Sequence, residues 1–272
     1  MISMSLGKDM MSVAPTVCAI LGLRTPRSSE AEPLLEVVES MGPSGRLAVV
    51  VVDALGVSTW TNARAETPFL NELANRRLLR LRSVMPTVTP VNFATMLTGA
   101  SPGIHTIRDR TEPLGLETIF DVLRENGGTS ATAARAKSSL GILISPHADE
   151  PGIAESNTDD EVKDIALEML GRGVDLLWVQ LLDVDDAGHA HGPLSSQGVE
   201  AVHRADGNLR EIAVEARRKS YGLVVLADHG QHTVVREGGR EGGTHGTSMD
   251  EDIYVPFVWA TPDEIGRSLG IS

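Results

Sequence analysis

Residues 181–193 read LLDVDDAGHAHGP and follow the apolar run VDLLWVQ, so carboxylates and imidazoles crowd together where a strand should end. Asp, Gly, His and Pro are common turn residues, and a polar turn is one reading. A cation site is the other, because imidazole nitrogen and carboxylate oxygen together suit Zn²⁺ or Mn²⁺. The same chemistry recurs along the chain. Asp53 closes VVVDALG, Asp228 and His229 close VVLADHG, and His245 lies in the glycine-rich GGTHGTSMDEDIYVP. Five of the eight histidines fall in three short segments, at His189 and His191, at His229 and His232, and at His245. A lone aspartate after a strand is most often a cap or turn former. Histidines scattered through core or surface would not concentrate in this way, and the combination points to a bound metal pair. The stretch MPTVTPVNFATMLTG (85–99) adds hydroxyls. Its helical spacing places them at a helix N-terminus, where backbone N–H groups and the dipole favour an anion. A β-run entering a turn is the alternative for TVTPVN.

Such residues need elements that bring them together. Short apolar runs alternate with amphipathic helical patterns, which predicts an α/β fold with a mostly parallel sheet. The expected strands are RLAVVVVDA (46–54), LLRLRSV (78–84), TSATAAR (129–135), VDLLWVQLLD (174–183), YGLVVLAD (221–228) and DIYVPFVWA (252–260). In open α/β sheets ligands bind at the carboxyl ends of strands, where the acidic and imidazole groups fall here. Thr67 and Pro68 predict the start of a helix through TPFLNELANR. LETIFDVLRENGG places Leu116, Ile119, Phe120 and Leu123 on one face and stops at Asn126 and Gly127. Thr158 and Glu161 predict a capping box before Val162, Ile165, Ala166, Met169 and Leu170. A long helix is expected through VEAVHRADGNLREIAVEARRK. The least patterned stretch, 136–157, is a candidate small lid, and the whole chain, 1–272, is expected to form a single domain.

Hydrophobic residues at 41% and charged residues at 22% are ordinary for a globular protein and exclude disordered and membrane-spanning classes. A net charge of −13 argues against nucleic-acid polymers and anionic membranes as partners, and leaves a small anionic substrate in need of local help such as metal ions. Cys18 is the only cysteine, so there is neither an intrachain disulfide nor a thiolate cluster. The opening MISMSLGKDMMSVAP has no apolar core of signal-peptide length, and a cytoplasmic protein is expected.

Taken in order, VVVDALG, PTVTPVNFATMLTG, DDAGHAHGP, LADHG and THG resemble the metal-ligand series of the alkaline phosphatase superfamily, most nearly its type I phosphodiesterase/nucleotide pyrophosphatase branch. TPFLNELA and TIFDVLRENGG resemble helices of that family. The resemblance implies an alkaline phosphatase-like three-layer domain, its mostly parallel central sheet flanked by helices. One metal would be held by Asp53, the nucleophile, Asp228 and His229. The other would be held by Asp185, which stands three residues before Gly188 as the family's D-x-x-G-H requires, with His189 and His245. Asp183 and Asp186 become neighbours of the site, and His191 and His232 match no role. Thr89 is the implied nucleophile, because the family places an asparagine three residues later, here Asn92, to hold a phosphoryl oxygen. The family's T-F-P-N is TPVN in this chain, and its H-G-I is His105-Thr106-Ile107. Segment 11–33, with its APT and LLG-like phrases, resembles an element that relatives carry near the C-terminus and implies circular permutation; an ordinary helix from Pro15 to Gly22 is the alternative.

The implied activity is two-metal hydrolysis of phosphodiester or nucleotide pyrophosphate bonds. Two divalent ions, Zn²⁺ or alternatively Mn²⁺, would activate the threonine hydroxyl, and a covalent phosphothreonine would form and be hydrolysed with overall retention at phosphorus. A phosphomonoesterase or a C–P bond hydrolase would use the same metal site, and a non-catalytic metal-binding protein is the reading from another class. Threonine argues against a sulfatase, and the absent second domain against a mutase. The partner is a small phosphorylated substrate; a nucleotide would need an aromatic ring to stack on, and Phe93 and Trp60 are the candidates nearest the motifs, though both could equally belong to the core. Arg108, Arg110, Arg135 and Lys137 could bind a second anionic group or lie solvated at the surface. A homo-oligomer could complete an open pocket.

Overall fold

The computed structural model describes residues 8–270; the first seven residues of the opening stretch lie outside it. Each expected apolar run forms a strand: β1 (Leu47–Val52), β2 (Leu78–Arg82), β3 (Ser130–Arg135), β5 (Leu176–Leu181), β6 (Gly222–Leu226) and β9 (Tyr254–Ala260). Three strands were not expected, namely β4 (Glu150–Ala154), β7 (His232–Val235) and β8 (Glu241–Thr244). The main sheet has seven strands in the order β2-β9-β6-β1-β5-β3-β4, while β7 and β8 form a separate ribbon. From β6 to β4 all neighbours are parallel; β9 runs antiparallel to β6 and to β2. Every residue of β1, β5 and β6 is buried, which is why these segments read as continuous apolar runs. Each buried Val or Leu contributes roughly 1.5–3 kcal/mol, so the apolar centre of the sheet holds the register and leaves its polar rim free for chemistry.

β1 lies between β5 and β6, and the three carboxyl ends stand side by side. That is the switch-point geometry at which open α/β sheets bind ligands. The loops leaving these ends carry Asp53, the Asp183–His191 helix, and Asp228 with His229. The polar cluster of the LLDVDDAGHAHGP segment is therefore the first turns of a helix and not a reverse turn.

The candidate lid is corrected by the structure. Segment 136–157 passes through short turns, Leu140–Ile144 and Ser145–His147, into β4, which pairs with β3 and forms an edge of the main sheet. Pro151 and Gly152 lie within β4, and such residues weaken any strand signal while remaining tolerable at an edge.

Helices flank the sheet, and their ends show which local signals held. Pro68–Ala74 begins after Thr67 as expected, yet its free N–H groups are capped from elsewhere: the Asp206 carboxylate accepts from Phe69 N at 3.0 Å and Leu70 N at 2.7 Å. Asp206 belongs to the long helix Ser196–Arg218. Ile119–Glu125 carries a full capping box between Thr118 and Asp121. Asp159–Arg172 starts where expected, but the Thr158–Glu161 box does not form, because Glu161 accepts from Glu155 N and Ser156 N instead. Thr106, where the family has glycine, sits at φ 59°, a left-handed conformation costly for a β-branched residue. Val13–Ile20, within segment 11–33, is buried against the Thr89–Thr98 helix. No described helix is long and apolar enough to cross a membrane.

Candidate active site

Asp53 and Asp228, at the ends of β1 and β6, are fully buried, as is His229. The His229 Nδ1 lies 3.0 Å from the Gly230 carbonyl, and since a carbonyl only accepts, Nδ1 carries the proton. Its Nε2 then presents a lone pair, 3.3 Å from Asp228 Oδ2, 3.6 Å from Asp53 Oδ1 and 3.1 Å from the Thr89 hydroxyl. Asp53 Oδ1 and Asp228 Oδ2 are buried with no hydrogen-bond donor among the described residues. Their partner oxygens are satisfied, Asp53 Oδ2 by Gln180 Nε2 at 2.5 Å and Asp228 Oδ1 by Ala54 N at 3.3 Å.

The second constellation repeats this logic. His189 Nδ1 donates to the Gly243 carbonyl at 3.0 Å and His245 Nδ1 to the Thr87 carbonyl at 2.9 Å. Their Nε2 atoms face each other at 3.1 Å, with Asp185 Oδ1 at 3.3 Å from the first and 3.7 Å from the second. Two lone pairs and a carboxylate oxygen at such separations repel unless a cation lies among them. Backbone carbonyls fixing the far imidazole nitrogen are the usual support for metal-binding histidines. The donor set therefore fits divalent ions. His229 and His245 stack at 3.9 Å between ring centroids, so the constellations adjoin. Asp185 belongs to both: its oxygen groups with His189 and His245 and also with Asp53 and His229.

Electrostatics agree with that reading. Burial, then the neighbouring Asp228 and Asp185, push the Asp53 pKa well above its ordinary value. Burial raises Asp228 to about 6 and also raises Asp185. Burial lowers His229 and His245, which favours the neutral imidazoles a metal requires.

Thr89 opens its helix, with Pro90 in the first turn, where a missing N–H costs nothing. Thr87 is occupied otherwise: its hydroxyl donates to the Thr247 carbonyl at 3.0 Å and accepts from Gly246 N at 3.0 Å, pinning the loop that carries His245. Asn92 departs from expectation. Its side chain is buried and turned into the preceding loop, accepting from Val84 N at 2.9 Å and donating to the carbonyls of Val84 at 3.3 Å and Val88 at 3.2 Å. Both amide hydrogens are thus engaged by backbone, so Asn92 braces the 84–88 loop and has no donor left for a phosphoryl oxygen.

Other expectations are corrected as well. Arg135 is fully buried and ion-paired, unavailable to a substrate, whereas Arg108, Arg110 and Lys137 are exposed. Phe93 and Trp60 are buried in the core, and the Trp60 indole donates to Thr67. His191 is exposed, and His232 pairs with the buried Asp252 at 2.8 Å.

Sequence reasoning missed Gln180, Gln231 and Asp159. Gln180 is the one amide in the apolar strand β5 and spans from Asp53 to Leu140 N; a lone polar residue in a buried strand was the available signal. Gln231, directly after Asp228-His229-Gly230, donates to Asp185 Oδ1 at 3.1 Å. A Cβ at Gly188 would lie 1.8 Å from Gln231 Oε1, and one at Gly243 only 2.7 Å from the Gly188 carbonyl. Gly243 thus lets β8 come close to the Asp183–His191 helix, while Gly188 leaves room for the Gln231 amide beside Asp185.

Fold and site together define a member of the alkaline phosphatase superfamily. The family model for type I phosphodiesterase / nucleotide pyrophosphatase matches residues 47–112 and 117–245, more than half of the sequence, and the chain belongs to that family. Among solved structures it is similar to phosphonoacetate hydrolase from Sinorhizobium meliloti in complex with phosphonoacetate (TM-score 0.54, 18% identity, 72% of this chain and 59% of that one). It thus spans about three fifths of that relative's length. It is also similar to murine ectonucleotide pyrophosphatase / phosphodiesterase 5, in an inactive variant in complex with AMP (TM-score 0.63, 13% identity, 84% of this chain and 96% of that one). A third is the C-terminal periplasmic domain of phosphoethanolamine transferase EptC from Campylobacter jejuni (TM-score 0.60, 16% identity, 81% and 80%). At these identities the likeness is one of fold. No curated protein sequence matches.

Proposed function

We propose that this protein is a two-metal phosphohydrolase that cleaves phosphodiesters through attack by Thr89. The observation that carries the reading is the convergence of three imidazole lone pairs and two orphaned buried carboxylate oxygens beside the Thr89 hydroxyl. Asp53, Asp228 and His229 would hold one ion next to Thr89, and Asp185, His189 and His245 the other, with Asp185 within reach of both. When bound, the ions supply charge neutralisation at the phosphoryl oxygens and an acidified threonine hydroxyl. The chain's own contribution is position. The Thr89 Oγ1–P bond forms as the bond from phosphorus to the leaving alkoxide breaks. Water then forms the new P–O bond as P–Oγ1 breaks, so net hydrolysis proceeds with retention. The N-terminus of the Thr89–Thr98 helix faces the anion in both steps. Asn92 acts by bracing the loop before Thr89.

The aromatic residues bear on the substrate. Of four Phe, two Tyr and three Trp, all but Tyr254 are buried, and the Tyr254 ring lies under the Arg80 guanidinium at 4.0 Å. Murine ectonucleotide pyrophosphatase / phosphodiesterase 5 is solved in complex with AMP; in this chain the one aromatic ring that is not buried, Tyr254, has Arg80 over one face. The test is turnover of Zn²⁺- and Mn²⁺-loaded protein on bis-p-nitrophenyl phosphate and p-nitrophenyl phosphate, with Thr89→Ala as control. Diester preference abolished by the substitution supports the reading. Monoester preference, or normal turnover by Thr89→Ala, contradicts it.

A further inference from the structure

The Asp183–His191 helix has two functional faces. Asp185 and His189, one turn apart, face the other metal-site groups, whereas Asp183 and Asp186, also one turn apart, face the buried guanidinium of Arg135 on β3. Arg135 Nη1 contacts Asp186 Oδ2 at 2.8 Å, and Nη2 contacts both Asp183 Oδ1 and, at 2.6 Å, Asp159 Oδ1. Asp159 opens the Asp159–Arg172 helix and is itself buried. Its carboxylate also accepts from Leu182 N at 2.9 Å and Asp183 N at 2.8 Å, the backbone entering the metal-site helix.

One guanidinium thus meets three carboxylates drawn from two helices. A simple structural ion pair needs one partner, and the extra acids are all placed where they restrain a single object, the first turn of the helix that bears Asp185. We propose that Arg135 is a positioning residue for the metal centre: held through Asp159, it grips Asp183 and Asp186 and so fixes the rotation of their helix, which aims Asp185 and His189 at His245. The inference rests on reading the constellation as a metal centre. Lysine cannot replace this grip, because a single ammonium lacks the planar fork that reaches both faces of the arrangement.

The test reads metal binding directly, by calorimetric and visible-absorption titration of Co²⁺ into metal-stripped protein. His189→Ala identifies the equivalent held by Asp185, His189 and His245. Arg135→Lys is expected to weaken that equivalent by roughly ten- to hundredfold, as loss of groups supporting metal ligands does, and more than the other equivalent, with an altered Co²⁺ spectrum. Asp183→Asn/Asp186→Asn, which leaves Arg135 paired with Asp159, is expected to act in the same direction and decides the matter if Arg135→Lys fails to fold. Wild-type affinities and spectra in the folded variants, or equal weakening of both equivalents, overturn the inference. If the wild-type protein binds no Co²⁺, the metal-centre reading itself fails and the proposal with it.

Discussion

At the scale of single residues, the site is a set of charges held apart by burial and awaiting neutralisation. An acid whose pKa is raised on folding keeps its proton in the folded chain after the unfolded chain has lost it, so stability falls as pH rises from the unfolded value through the folded one. For Asp228 that window runs from 3.8 to about 6, and burial raises Asp53 in the same direction. His229 and His245, with lowered pKa values, oppose this only below their ordinary 6.5. Between pH 3.8 and about 6 the Asp228 contribution lowers the stability of chelator-treated protein as pH rises, and Asp228→Asn should remove it, so the variant's melting temperature should gain on that of the wild type across that range. A melting-temperature difference between variant and wild type that is independent of pH in that range would show that burial does not hold the Asp228 proton. Added Zn²⁺ should raise the melting temperature of the wild type more than that of the Asp53→Asn variant. The candidate residues could be picked from sequence because Asp53, Asp185, His189, Asp228 and His229 come after expected strands and His245 lies in a glycine-rich loop beside further motif residues. The direction of Asn92 could not, since its amide turns toward Val84 and Val88 through a loop conformation that residue types do not encode.

At the scale of elements, several joints carry measurable energy. Asp206 caps the Pro68–Ala74 helix from another helix. Asp206→Ala should cost about 1–2 kcal/mol, read as a lower denaturant midpoint at unchanged slope. Thr106→Gly should stabilise the protein by about 1 kcal/mol by relieving the left-handed strain at φ 59°; an unchanged or lower melting temperature would count against that strain. Asp159→Ala should cost about 1–3 kcal/mol, because Leu182 N, Asp183 N and one side of the buried Arg135 guanidinium lose their acceptor while Asp183 and Asp186 still balance its charge. These joints explain the uneven success of sequence reading. Helix starts at Pro68 and Asp159 were visible from local punctuation, but the cap of the first comes from the distant Asp206, and Glu161 of the second serves the preceding Glu155 and Ser156 N–H groups instead of a capping box. Strand β4 escaped because Pro151 and Gly152 hide an edge strand whose partner is already in place.

At the scale of the whole molecule, the parallel centre of the sheet gathers residues from positions 53 to 245 onto one rim. Continuous apolar runs made that arrangement visible in advance, since only strands buried on both faces read so. The burial of nearly every aromatic ring was not visible, because Phe93 and Trp60 stand beside the motifs in sequence while their side chains enter the core. The central claim is that Thr89 becomes covalently linked to phosphorus. Rapid acid quenching of the metal-loaded protein during diester turnover, followed by peptide mass mapping, tests it most directly. The account predicts a phosphoryl adduct on the peptide containing Thr89, absent from Thr89→Ala. Steady turnover with no adduct on that peptide under conditions that trap a slow second step, or an adduct on another residue, would contradict it.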